Sequence, residues 1–139
     1  QKYQILAEKK NIEMHLDMDP SLPLVFADLG LVERVIQNLM DNALNYTPEN
    51  GRVRIELSAQ DNSVEVKIAD NGPGIPLAEQ SYIFERYKKA DRTSKKSKGA
   101  GLGLAIAKKI LELHNSSISV QSKLNEGTAF LFRLPAYAG

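Results

Sequence analysis

Three asparagines, Asn38, Asn42 and Asn45, share one line of a segment with helical periodicity. Wound at about 100° per residue, that line lies roughly 110° from an apolar stripe of Val32, Val35, Ile36, Leu39, Met40 and Ala43. Asparagine forms helix poorly because its side chain competes for backbone hydrogen bonds, so three on one line need a reason. At the rim of a buried face, amide oxygens could ligate a hard cation such as Mg²⁺ while the NH₂ ends reach phosphate or ribose. A solvated polar edge is the alternative. A second place is Asp70-Asn71-Gly72-Pro73-Gly74. An aspartate closing a strand, before glycines that permit close backbone approach, can accept a hydrogen bond from an exocyclic amine such as adenine N6; a plain Asx turn is the competing reading.

The third place is Lys98-Gly99-Ala100-Gly101-Leu102-Gly103, three alternating glycines just before a helix. Their N–H groups would lie where the helix dipole favours an anion. No Gly-Lys-Ser/Thr follows at Walker A spacing, and no strand precedes as a dinucleotide fingerprint requires. A flexible hinge is the alternative. Ahead of these glycines, residues 86–98 carry seven cations, Arg86, Lys88, Lys89, Arg92, Lys95, Lys96 and Lys98, against the single acid Asp91. With no apolar period, this stretch reads as a loop suited to a polyanion. Cation, base and phosphate contacts together are the parts of a Mg-nucleotide site. No Ser/His/Asp set and no carboxylate pair for acid–base work stands out, so holding a nucleotide fits better than activating water.

The elements that must position these residues follow from periodicity. Residues 1–10 read as the end of a helix, and Ile12 to Met18 alternate as a half-buried strand with His15 on its polar side. Leu24-Val25-Phe26 is expected as a short strand, Asp28 as an N-cap, and the asparagine helix runs from there to about Tyr46, where Pro48 stops it. Val53 to Ala59 and Val64 to Ile68 alternate around Gln60-Asp61-Asn62-Ser63, an antiparallel hairpin. Leu77 to about Glu85 is expected to hold a short helical turn, and the helix opened by the glycines continues through Leu113. Ile118 and Val120 start a strand, Asn125-Glu126-Gly127 turns, and Phe130, Phe132 and Leu134 close the sheet. The order predicts an α+β two-layer sandwich, a mixed, mostly antiparallel sheet of about five strands with about three helices on one face.

At 139 residues with 42% hydrophobic content, one domain spanning residues 1–139 can bury a substantial core. A net charge of +1 gives no global pull toward nucleic acid or a membrane surface. Without cysteine there is neither a disulfide framework nor a thiolate site, and two isolated histidines, His15 and His114, make no metal cluster. No apolar run reaches the roughly 20 residues of a membrane span, so a cytoplasmic domain is expected, possible as the cytoplasmic part of a membrane-bound sensor. The absence of an initiator Met suggests a portion of a longer protein.

Five motifs in register carry a resemblance. Asn38 to Thr47 is similar to the N box of the catalytic and ATP-binding domain of sensor histidine kinases, in the superfamily of DNA gyrase, heat-shock chaperone and mismatch-repair ATPases. Asp70-Asn71-Gly72-Pro73-Gly74-Ile75 resembles its G1 box, Ile83-Phe84-Glu85-Arg86 its F box and Gly99-Ala100-Gly101-Leu102-Gly103-Leu104 its G2 box. Asn125-Glu126-Gly127-Thr128-Ala129-Phe130 resembles the last glycine box. The resemblance implies a Bergerat-type sandwich with ATP between the asparagine helix and residues 86–98, the ATP lid. It implies Asn42 as main Mg²⁺ ligand with Asn38 assisting, and Asp70 on adenine N6 with Tyr46 packed beside the base. Gly72, Gly74 and Ile75 would shape the base pocket, and Thr128 would support it. Gly99, Gly101, Leu102, Gly103 and Leu104 would offer backbone to the phosphates, and Arg86 with Lys89 and Lys98 would face the γ-phosphate. Asn38, Asn42 and Arg86 would then be the catalytic set. Residues 1–10 become the tail of an upstream connecting helix.

The same resemblance distinguishes subfamilies. Gyrase-type ATPases place a water-activating glutamate where this chain has Asn38, and an amide cannot act as a base. Phosphoryl transfer to a histidine on a separate dimerisation and phosphoacceptor domain is thus favoured, with a response regulator receiver domain as the indirect partner, no nucleic acid, and a monomeric isolated domain. A conformational ATPase, a non-enzymatic ATP-binding module and an anti-sigma type serine kinase are the rivals. The chain departs from the pattern at Asn45, where the family usually has lysine or arginine, at Asn125 for the first glycine of the last box, and at Asn115-Ser116 for Gly-Gly. Neither His15 nor His114 stands in a phosphoacceptor motif, which is expected upstream.

Overall fold

The computed structural model describes residues 2–23, 25, 27–80, 83–84 and 100–136. Along these the order is α1 (Lys2–Lys9), β1 (Glu13–Met18), α2 (Leu29–Tyr46), β2 (Arg52–Gln60), β3 (Ser63–Asp70), α3 (Leu77–Gln80), α4 (Ala100–Leu113), β4 (Ile118–Lys123) and β5 (Gly127–Pro135). The strands form one mixed sheet in the order β1-β2-β3-β5-β4, parallel between β1 and β2 and antiparallel elsewhere. This is the expected α+β architecture, with α1, α2 and α4 supplying the helical side of the core.

Alternation decides which face is covered. Val64, Val66 and Ile68 of β3 and Phe130, Phe132 and Leu134 of β5 turn toward the helices and are buried. All but Val64 join one cluster with the anticipated α2 stripe, where Val35 and Leu39 are fully enclosed, and with Leu104, Ala107, Ile110 and Leu111 of α4. The asparagine helix begins at its expected cap: Asp28 accepts the Leu31 N–H at 3.0 Å. At the other end the Thr47 N–H and hydroxyl both donate to the Ala43 carbonyl, ending the helix ahead of Pro48.

Two asparagines end helices in the left-handed conformation. Asn115, at φ 58, follows α4, with Ser116 N–H bonded to the Leu111 carbonyl and Asn115 N–H to that of Glu112, a Schellman closure. Asn11, at φ 55, closes α1 in the same way through Ile12 and Ala7. The Asn115 departure from glycine is therefore conformationally satisfied, as is Asn125 at φ 66 in the turn between β4 and β5.

Several expectations need correction. β1 is not half-buried: Leu16 and Met18 are 63% and 56% exposed, on an edge strand whose tie to α1, from the Ile12 N–H to the Ala7 carbonyl, lies just ahead of its first residue. Its His15 is exposed, as read from the pattern. Instead of a strand at 24–26 there is a single bridge from Val25 to Ala136, with positions 24 and 26 outside the described residues. The helix after Pro76 is described over Leu77–Gln80, and Ile83 and Phe84 lie in a turn, with Ser81, Tyr82 and Glu85 of the expected helical turn outside the described residues; Phe84 is edge-on to Phe130 at 5.9 Å between ring centres. The glycine run does not precede its helix. α4 starts at Ala100, so Gly101 and Gly103 are its first turn.

Candidate functional site

The site begins at the end of the middle strand. Asp70 closes β3, paired in register with Thr128 of β5, and Thr128 pairs in turn with Ser122 of β4. These three residues thus form one row across three strands, directly opposed and on one face. The Asp70 carboxyl is mostly enclosed, and this burial pushes it up from its ordinary 3.8 to about 6. Hydrogen bonds from the backbone N–H groups of Gly72, at 2.9 Å to Oδ1, and Thr128 act in the opposite direction and are outweighed.

Gly72 and Gly74 are required at their positions. A Cβ on Gly72 would fall 2.8 Å from the Tyr46 carbonyl oxygen. Gly74 has φ +80, and a Cβ there would lie 2.1 Å from the Lys123 carbonyl oxygen. The loop is therefore pressed between α2 and the β4–β5 turn. It is also tied at both ends of Ile75: the N–H donates to Ser122 Oγ at 2.8 Å, and the carbonyl accepts from Gln80 Nε2 at 2.9 Å.

Around this row lies a cavity of about 30 Å³, lined by Asn42, Tyr46, Asp70, Pro73, Gly74, Ile75, Ile83, Leu104 and Thr128. That is room for a water or two, so a ring enters only as the walls part. A larger hollow of about 890 Å³ occupies the opposite, open face of the sheet. It is lined by mostly polar side chains, and its charged pair, Arg133 and Glu65, is joined at 3.4 Å. Convergent burial belongs to the small cavity, not the large hollow.

The asparagine line divides along its length. Asn42 is buried at the cavity. Asn38 lies one turn closer to the start of α2, beside α4: the space where Gly103 would carry a Cβ is 3.7 Å from the Asn38 amide carbon. Its Nδ2 is shielded from solvent and has no hydrogen-bond partner among the described residues, an arrangement that costs free energy unless a ligand completes it. Asn45 is exposed and does not line the cavity. The first turn of α4, Ala100 to Gly103, has N–H groups that intrahelical bonding leaves free.

Of the residues singled out in the sequence, the structure gathers Asn42, Tyr46, Asp70, Gly74, Ile75, Leu104 and Thr128 at the cavity, and brings Asn38 and Gly103 together beside it. Gly72 sits against Tyr46 and Asp70, and Gly101 and Leu102 belong to the first turn of α4. Arg86, Lys89, Lys98 and Gly99 lie outside the described residues. Sequence reasoning missed Ser122, Pro73 and Ile83 as site residues. Ser122 had a signal: it follows Ile118 and Val120 in the inward register of β4, a hydroxyl where an apolar side chain is due. Among the described residues no group of three or more His, Asp or Glu could hold a metal. The amides of Asn38 and Asn42 suit a hard cation that brings most of its coordination as water and ligand oxygens. No helix of the described residues is long and apolar enough to cross a membrane.

Residues 27–138 match the domain family described as histidine kinase-, DNA gyrase B- and HSP90-like ATPase. The adaptive-response sensory kinase SasA of Synechocystis sp. is 42% identical over 136 residues, 97% of this chain and 35% of that kinase. The nucleotide-free catalytic domain of the histidine kinase ThkA superposes with a TM-score of 0.84 at 30% identity, covering 97% of this chain and 86% of that one. ThkA in complex with the response regulator TrrA gives 0.81 at 28% identity, over 98% and 37%. Full-length ShkA in complex with AMPPNP gives 0.83 at 30%, over 97% and 28%. The chain spans about a third of the length of the curated relatives it matches.

Proposed function

The chain belongs to the histidine kinase-, DNA gyrase B- and HSP90-like ATPase family, as a catalytic domain of the sensor histidine kinase kind, and from that premise we propose that it binds MgATP and donates the γ-phosphoryl group to a histidine on a separate dimerisation and phosphoacceptor domain. The observation that carries the proposal is the pairing of two ends. At one end a half-buried acceptor, Asp70, faces the cavity; at the other, the unpartnered Nδ2 of Asn38 lies beside the first turn of α4.

In this reading Asp70 accepts the adenine amine, Tyr46 packs beside the base, and Gly72, Gly74 and Ile75 wall it. The free N–H groups of the first turn of α4, around Gly101, Leu102 and Gly103, receive phosphate oxygens at a helix N-terminus, with Leu104 following directly behind them. Arg86, with Lys89 and Lys98, would face the γ-phosphate. Asn42, assisted by Asn38, would hold Mg²⁺, which when bound neutralises charge on the β- and γ-phosphates. Neither amide can take a proton from water, so the site holds ATP rather than hydrolysing it. An acceptor nucleophile must come from the other domain. A response regulator would receive the phosphoryl group afterwards, in the cytoplasm.

The test is to mix the purified domain with its dimerisation and phosphoacceptor domain and γ-labelled ATP. Acid-labile label on the acceptor histidine is expected, with little phosphate released by the catalytic domain alone. Measurable ATP binding without label on the histidine would overturn the kinase reading.

A further inference from the structure

The Ser122 hydroxyl has three neighbours and one proton. Its Oγ lies 2.8 Å from the Ile75 nitrogen, 2.9 Å from the Gly127 carbonyl oxygen and 2.9 Å from Thr128 Oγ1. The Ile75 N–H can only donate, so Gly127 and Thr128 compete for the single Ser122 proton, and given to the Gly127 carbonyl it serves the one neighbour that has no proton to return. With Ser122 donating to Gly127, the contact with Thr128 runs the other way, Thr128 donating its proton to Ser122. What Thr128 keeps is lone pairs.

Thr128 lines the cavity beside Asp70, its partner across the β3–β5 ladder. Asp70 already points an acceptor into the same space, its Oδ1 held by Gly72. Two adjacent acceptors on one wall demand donors from whatever binds there. The amino group at position 6 of adenine offers two protons to such a pair; hypoxanthine and guanine offer only the single N1 proton there and set the position-6 oxygen, itself an acceptor, against the other. We infer that Ser122 is a specificity-determining positioning residue: by consuming the Thr128 proton it presents Thr128 as an acceptor and so selects a 6-amino over a 6-oxo purine. The inference rests on the nucleotide reading of the site and extends it to a residue that does not line the cavity. Ser122 reaches the base pocket through Thr128 and, by way of the Ile75 N–H, through the loop that walls it.

Without Ser122, the Thr128 hydroxyl is free to rotate and donate to a 6-oxo group. The experiment measures calorimetric dissociation constants for ATP and ITP, which differ only at the base, with Mg²⁺ at pH 8. Wild type should prefer ATP. Ser122→Ala should narrow the ATP/ITP ratio by about five- to tenfold, the effect of one neutral hydrogen bond, and Ser122→Thr, which retains the hydroxyl, should restore it. Thr128→Val removes the acceptor itself and should narrow the ratio similarly, which keeps the test decisive if Ser122→Ala fails to fold. Equal weakening of both nucleotides with an unchanged ratio would make Ser122 a structural peg and overturn the inference. So would a wild type that binds ATP and ITP alike. A wild type that binds neither would overturn the nucleotide reading itself.

Discussion

Replacing Asp70 with asparagine separates what the fold wants from what the site needs. The folded chain raises this carboxyl from 3.8 to about 6, chiefly by burying it. Between pH 4 and pH 6 the folded state thus holds a proton that the unfolded chain has released. Stability from this group is present at low pH and falls as pH rises through that window. Above it the folded protein carries a buried charge whose cost, at 1.36 kcal/mol per pH unit over a gap of about two units, is about 3 kcal/mol. Asparagine removes the charge yet can still accept the Gly72 N–H through its own Oδ1. Asp70→Asn should therefore stabilise the nucleotide-free protein at pH 8 by about 1–3 kcal/mol, raising Tm by roughly 3–10 °C. The gain should shrink to nothing near pH 4. ATP affinity should move the opposite way, falling roughly ten- to hundredfold, because the amide NH₂ now faces the cavity and the charged acceptor is gone. Urea denaturation across pH 4–8, with parallel ATP titrations, reads both. A variant no more stable than wild type at pH 8, or a gain that persists undiminished at pH 4, would refute the reasoning.

Other perturbations address separate parts of the structure. Asn42→Ala should weaken ATP binding at least tenfold in the presence of Mg²⁺ and leave binding nearly indifferent to the cation, which calorimetry with Mg²⁺ or EDTA would reveal. Gly74→Ala forces a Cβ into the Lys123 carbonyl at a positive φ and should cost about 3 kcal/mol or more, visible as a lower urea midpoint. Leu39→Ala opens a void at a fully enclosed position of α2 and should cost about 2–5 kcal/mol by the same measurement. Asn115→Gly relieves a left-handed residue at the end of α4 and should add up to about 1 kcal/mol; a loss of stability there would contradict the Schellman reading.

Where one residue's environment was dictated by its sequence neighbours, the chain was readable. The α2 stripe, its Asp28 cap and the β2–β3 hairpin all rest on local periodicity and turn chemistry, and each lies where the pattern placed it. Asp70, Gly72 and Gly74 were readable for a related reason, since a strand end followed by glycines constrains its own backbone. β1 was not readable in the same way. Its alternation is sound, but burial depends on a helical layer that stops short of the sheet edge, and no local pattern reports where a layer ends. The start of α4 was misplaced because glycine favours termini without specifying which side of them it occupies. Ser122 needed long-range knowledge: its function follows from Ile75, Gly127 and Thr128 meeting one oxygen, and its register on β4 was only a hint. Asn45 shares the helical line of Asn38 and Asn42, yet the line runs off the site before reaching it.

The place of Asp70 on β3, paired on both sides in the middle of the sheet, sets a gradient of hydrogen exchange along the site. Amides of β3 at Val64 to Ile68 sit in the innermost ladder and should exchange only through global unfolding. Amides of the first turn of α4 lack intrahelical acceptors and should exchange through the smallest fluctuations. The base end is thus built on the slowest-exchanging body of the protein and the phosphate end on one of its fastest. Nucleotide should consequently leave β3 protection almost untouched until it raises global stability, while slowing the α4 amides directly. A single exchange time course with ADP and then ATP would then report the two ends of one ligand as two separate signals.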